Sequence, residues 1–150
     1  MKGLVIVTHS VLSKGLLMAA EAILGPVDKA EAICLQKEDS VERINTKIRD
    51  GIAAAGEATD GVIVMADMFG GTPCNISLAY LQNGRIEVVT GVNLPMVLKF
   101  FQNRRESSLT RLAADIREAG REGITVPGDF LRSQVSMGSA GENSAARDRE

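Results

Sequence analysis

The chain carries one histidine, and it stands directly behind an apolar, β-branched run, Val5-Ile6-Val7-Thr8-His9-Ser10. Imidazole is the side chain whose unperturbed pKa lies near neutrality, so a histidine in that place is a candidate nucleophile or general base. The plain alternative is a loop or cap histidine without a role. Asp67 stands in a matching place, at the end of Val62-Ile63-Val64-Met65-Ala66. A carboxylate that accepts from Nδ1–H would fix the imidazole tautomer and leave Nε2 as an exposed nucleophile. Otherwise Asp67 only caps the turn behind it. That turn is Met68-Phe69-Gly70-Gly71-Thr72-Pro73-Cys74-Asn75. Gly70 and Gly71 let the backbone approach a ligand and turn N–H groups toward it. Pro73 suits the first turn of a helix, whose partly positive start favours a phosphoryl group, and the Thr72 hydroxyl adds a donor. The same residues also read as an ordinary strand-to-helix turn with Thr72 as its cap, and the two readings are compatible. Together they offer a candidate nucleophile or base near a loop suited to a phosphoryl group.

Rival chemistries find less. The loop is neither G-x-x-x-x-G-K-[ST] nor G-x-G-x-x-G, so a nucleotide site has weak support. Ser10 is adjacent to His9, which leaves little room for a Ser-His-Asp hydrolase. A receiver domain needs an acidic pair after strand 1, where Thr8 and His9 stand. Cys74 near a helix start could be a lowered-pKa thiol, but it reads better as a small packed residue. One histidine and two cysteines, Cys34 and Cys74, without a C-x-x-C pattern, do not make a zinc site. No cofactor and no metal is expected.

These residues need elements that hold them. Short apolar runs at Gly3 to Val7, Ala32 to Leu35, Gly61 to Ala66 and Ile86 to Thr90 read as strands covered on both faces. Helices alternate with them. One runs from a Ser13 cap to Leu24 and stops at Gly25-Pro26. Another runs from Ser40 to about Ala55, with Val41, Ile44, Ile48 and Ile52 at helical spacing. Further helices are expected from Pro73 to about Gln82, from Pro95 to about Gln102, and from Ser107 or Ser108 to about Ala119. The order implies an α/β fold with an open, mostly parallel sheet, helices on both faces and right-handed crossovers. With strand order 2-1-3-4, His9 and Asp67 meet beyond the carboxyl ends of neighbouring strands, where such sheets bind ligands. Gly123 to Val126 reads as one more short strand.

Composition bounds the rest. At 150 residues the length fits one domain, with 45% hydrophobic residues to fill its core. A net charge of −2 and a pI near 5.5 argue against nucleic acid or anionic lipid. Aromatic residues make up 3%, too few for stacking platforms. Met1-Lys2-Gly3 leads straight into a strand, without a signal peptide, and no run approaches a membrane span, so a cytoplasmic protein is expected. Residues 1–130 read as the domain and 131–150, rich in Ser, Gly, Ala and charges, as a flexible tail.

Three stretches together resemble one family: Val5-Ile6-Val7-Thr8-His9, Asp67-Met68-Phe69-Gly70-Gly71-Thr72-Pro73-Cys74-Asn75, and Gly91-Val92-Asn93-Leu94-Pro95-Met96. It is the enzyme IIA component of the mannose/fructose class of the bacterial sugar phosphotransferase system, matched from about residue 2 to residue 126. The resemblance implies that His9 is phosphorylated at Nε2, that Asp67 is its partner on Nδ1, and that Gly70, Gly71 and Thr72 hold the phosphoryl oxygens. Asn93, Leu94 and Pro95 would line the rim. It further implies an HPr-like phosphocarrier as donor, a IIB component as acceptor, and indirect membrane association through a permease. A homodimer is implied too, in which a short C-terminal strand, here Gly123 to Val126, crosses to the partner's sheet. Two rim positions depart from the pattern: Ser10 replaces the usual glycine, and Phe69 stands where some members carry Trp. Neither change removes a chemical group that phosphoryl transfer needs. A regulatory phospho-accepting module without a transported sugar is the alternative role.

Overall fold

The computed structural model describes residues 1–106 and 108–145, with side chains through residue 137. The order is β1 (Gly3–His9), α1 (Leu12–Leu24), β2 (Ala30–Leu35), α2 (Val41–Gly56), β3 (Val62–Ala66) and α3 (Thr72–Leu78). It continues with β4 (Ile86–Thr90), α4 (Leu94–Asn103), α5 (Leu109–Glu122) and α6 (Pro127–Ala145). The four strands form a parallel sheet in the order β2-β1-β3-β4, as expected from the alternation of runs.

Strand alternation splits the core into two layers. Leu4, Ile6, Ile63 and Met65 face α1, α4 and α5, packing with Ala20, Val97, Phe100, Leu112 and Ile116. Val5, Val7, Val62 and Val64 face α2 and α3, packing with Ile44, Ile48 and Cys74. Phe100 is fully buried, and burying one such side chain is worth about 1.5–3 kcal/mol. Both central strands are covered on each face, which is why they read as unbroken apolar runs.

Caps explain most boundaries. The Ser40 hydroxyl accepts from Arg43 N–H at 3.2 Å, and that of Ser108 accepts from Arg111 N–H at 3.2 Å. Ser107 lies outside the described residues. The expected cap Ser13 is instead buried in the first turn of α1, where its hydroxyl donates to the Ile33 carbonyl at 2.9 Å. Its own N–H is taken by the buried Thr8 hydroxyl at 2.7 Å, so β1 caps the helix that follows it. Helix α3 stops at Leu78, short of Gln82, and the chain closes through turns into β4. Helix α5 runs through Gly120 because α4 lies against it: a Cβ there would stand 2.7 Å from Met96 Cγ.

The C-terminal part departs from expectation. Gly123 ends α5, residues 124–126 form no strand, and Ile124 and Val126 are exposed. Helix α6 takes in residues 131–145 of the stretch expected to be a flexible tail, and residues 146–150 lie outside the described residues. Pro127 and Asp129 make a favourable helix start, so local bonding rather than burial forms α6. Phe130, Leu131, Val135 and Met137 on it are all exposed.

Candidate functional site

His9 is the last residue of β1, one position further into the strand than its sequence suggests, and pairs in register with Leu35 of β2. On the other side, Val7 pairs with Ala66, so Asp67 leaves β3 beside His9. The imidazole Nδ1 lies 2.8 Å from Asp67 Oδ2, and the same oxygen accepts the His9 backbone N–H at 2.9 Å. A carboxylate oxygen accepts, so the ring proton sits on Nδ1 and Nε2 keeps a free lone pair. The imidazole side chain is 56% exposed while that of Asp67 is 14% exposed. A largely covered carboxylate thus holds one face of an open imidazole. Asp67 Oδ1 is buried with no hydrogen-bond partner in the structure. Such an orphan costs about 1–3 kcal/mol, a burden that favours a task for the residue beyond stability.

The loop after Asp67 supplies donors. Gly70 takes φ +78°, open only to glycine without strain, and a Cβ at Gly71 would lie 3.5 Å from His9 Cε1 and 3.1 Å from Met68 Cγ. Among the described residues, no hydrogen bond uses the backbone N–H of Met68, Phe69, Gly70, Gly71 or Thr72. Gly71, not Thr72, is the N-cap of α3; Thr72 is its first helical residue, exposed and with no hydrogen bond from its hydroxyl. The alternative role of Thr72 as a cap therefore does not hold, and its hydroxyl stays available. Asn75 holds the loop in shape: its side-chain amide donates to the Gly70 carbonyl at 3.2 Å, and its N–H bonds the Gly71 carbonyl at 2.9 Å.

The rim residues divide. Met68 and Phe69 are exposed beside the loop, Phe69 to 78%. Ser10 is exposed too, at φ +53°, with its N–H donated to the Leu35 carbonyl at 2.8 Å. Val92 N–H bonds the Ala66 carbonyl at 3.1 Å, so the β4–α4 turn borders Asp67. Within that turn, however, the Asn93 side chain accepts from Met96 N–H and donates to the Gly120 carbonyl at 3.0 Å. Pro95 lies against Gly123, and Leu94 packs against the core. These contacts make Asn93 a helix cap and a tie to α5.

On the opposite flank, Asp39 anchors the loop between β2 and α2. Lys47, the Gln36 N–H and Arg43 hold its carboxyl below the ordinary carboxylate value, the Lys47 hydrogen bond most strongly. A cleft of about 350 Å³ at the amino end of the sheet, lined by Ile52, Gly56, Arg85 and Ile86, holds none of these residues. A smaller cavity of about 160 Å³ is lined by Asn93 with Thr90, Gly91, Met96 and Gly120. Sequence reasoning passed over Asn75 and Met68, although both stand in the quoted loop. An Asn four residues behind a glycine at a helix start was the available signal for the first.

Solved structures share this arrangement of elements. Phosphotransferase system component EIIA from Streptococcus agalactiae superposes with a TM-score of 0.77 at 23% identity, over 86% of this chain and 99% of that one. The mannose/sorbose-specific IIA subunit from Enterococcus faecalis gives 0.73 at 26% identity, over 84% and 95%. Fold and site thus point to the IIA class of phosphotransferase-system components. The family model described as "PTS system fructose IIA component" matches residues 3–117. The mannose-specific EIIAB component of Escherichia coli is 32% identical over 123 residues, which is 81% of this chain. The sorbose-specific EIIA component of Lacticaseibacillus casei is 27% identical over 120 residues, covering 79% of this chain and 86% of that protein. The chain belongs to the EIIA family of the mannose/fructose type. It spans 38% of the length of the mannose-specific EIIAB relatives.

Proposed function

We propose that the protein is a phosphohistidine relay: His9 takes a phosphoryl group from an HPr-like carrier and passes it to a IIB component. The observation that carries this reading is the 2.8 Å contact between His9 Nδ1 and Asp67, on an imidazole whose side chain is 56% exposed and whose Cε1 lies close to Gly71 of the glycine loop. In the forward step the Nε2 lone pair attacks phosphorus in line. The P–Nε2 bond forms, the donor's P–N bond breaks, and the donor nitrogen keeps that electron pair. The imidazole gains positive character, which the Asp67 carboxylate offsets, while the Nδ1 proton stays between the two. The amides of Gly70 to Thr72 and the Thr72 hydroxyl receive the three equatorial oxygens. Because the bond made is again P–N, the group keeps its transfer potential and moves on to the IIB acceptor by the same chemistry.

Met68, Phe69, Ser10 and the Asn93-Leu94-Pro95 turn form the rim on which both partners dock. No described helix is long and apolar enough to cross a membrane. The relay assigned here would place the protein in the cytoplasm, where it meets a membrane only through a permease. Two copies form a homodimer, each lending residues 123–126 to the free edge of the other's β4; the exposure of Ile124 and Val126 supports this. Incubation with phosphoenolpyruvate, enzyme I and HPr should add one acid-labile phosphoryl mass to wild type and none to His9→Ala. An unlabelled wild type, or a labelled His9→Ala, would sink the proposal.

A further inference from the structure

The residue after His9 is one of three described non-glycine residues in the left-handed region, with Lys29 and Ala58. Ser10 sits at φ +53°, a left-handed conformation that glycine adopts freely and serine does not. Its backbone is fixed there by the 2.8 Å bond from its N–H to the Leu35 carbonyl. Its hydroxyl has no hydrogen bond among the described residues and is exposed to solvent next to His9. Other serines of the domain spend their hydroxyls on the fold. Ser13 donates to Ile33, Ser77 donates to Pro73 at 2.6 Å, and Ser40 and Ser108 cap helices. A left-handed serine with an exposed, unbonded hydroxyl on the residue directly after His9 suggests a use for that donor.

We propose that the Ser10 hydroxyl donates a hydrogen bond to the phosphoryl group carried on His9 Nε2. This rests on the phosphohistidine reading above and adds a contact to it. The glycine loop approaches the imidazole from the β3 side, with Gly71 beside Cε1. Ser10 follows His9 at the end of β1, with its backbone tied to Leu35 of β2, so it belongs to the β2 side of the site, away from the glycine loop that follows β3. A hydrogen bond to a charged oxygen is stronger than one between neutral partners, which offsets the backbone strain once the group is in place. In the unphosphorylated protein that compensation is missing, so Ser10 stabilises the phosphorylated form selectively.

The test compares Ser10→Ala, Ser10→Gly and Ser10→Asn with wild type. The readouts are the fraction phosphorylated at a fixed ratio of phosphorylated to free HPr, and the melting temperature of the unphosphorylated protein. Ser10→Gly should melt above wild type, because the left-handed strain is gone, yet its phosphorylation equilibrium should fall about tenfold. Ser10→Ala should lose as much transfer without the gain in melting temperature. Ser10→Asn, which tolerates the conformation and restores a donor, should recover part of the equilibrium. A Ser10→Gly protein phosphorylated to the wild-type extent would overturn this inference and leave the relay intact. A wild-type protein that takes no phosphoryl group would overturn both.

Discussion

At the residue scale the account turns on how one carboxylate divides its two oxygens. Asp67 Oδ2 serves both the backbone N–H and the imidazole of His9, while Oδ1 is buried without a partner. In the relay proposed above, that arrangement serves orientation of the imidazole at some expense to stability. Replacing Asp67 with Ala should slow phosphoryl transfer roughly a hundredfold, since the tautomer is no longer held. The melting temperature should move by only a few degrees, because the lost hydrogen bonds are offset by removal of the buried orphan. Stopped transfer with an unfolded protein, or near-normal transfer, would contradict this assignment. Gly71 offers a cleaner steric test, because its φ of −75° suits alanine. Gly71→Ala should keep the fold but lower transfer about tenfold, as the new Cβ crowds Met68 Cγ at 3.1 Å and fills space against the imidazole, 3.5 Å away, that a phosphoryl oxygen would use. Quench-flow rates and a thermal melt measured together separate the two effects.

Elements decide whether those residues meet at all. The alternation of apolar runs and capped helices was legible because β1 and β3 are covered on both faces and Ser40 and Ser108 cap as serine commonly does. Long-range pairs were harder to read. Thr8 caps α1 across the β1–α1 turn, and Gly120 lies within α5 because Met96 needs its space; both depend on tertiary neighbours. Asn93 shows the same limit within the candidate site, since its bond to the Gly120 carbonyl spans two helices. Gly120→Ala should accordingly lower stability by about 1–3 kcal/mol through the clash with Met96, measured by denaturant unfolding. A smaller ion-pair effect is expected at the amino edge of the sheet. The N-terminal ammonium and Lys2 hold the Asp60 carboxyl down at about 2. A lowered folded-state value means the contribution is complete above the unfolded value near 4 and disappears as pH falls toward 2. Asp60 is largely exposed, so solvent screening keeps that contribution below about 1 kcal/mol. Asp60→Asn should flatten the acid limb of the stability curve between those pH values and leave neutral stability within that margin.

For the whole molecule, the uncovered parts of the chain become informative. β4 is an edge strand, Ile124 and Val126 are exposed, and α6 displays Phe130, Leu131, Val135 and Met137 to solvent. Burial within one chain leaves these surfaces unused, which fits a molecule completed by a second copy. Sedimentation should give a dimer for wild type and a monomer for an Ile124→Asp, Val126→Asp double variant; a wild-type monomer would rule out strand exchange. The relay itself depends on which imidazole nitrogen is free. The most direct measurement is therefore nitrogen and phosphorus NMR of the protein phosphorylated by enzyme I and HPr. The expected spectrum has one phosphohistidine, His9, with phosphorus bonded to Nε2 and the proton retained on Nδ1. Phosphorus on Nδ1, or on any residue other than His9, would contradict the account.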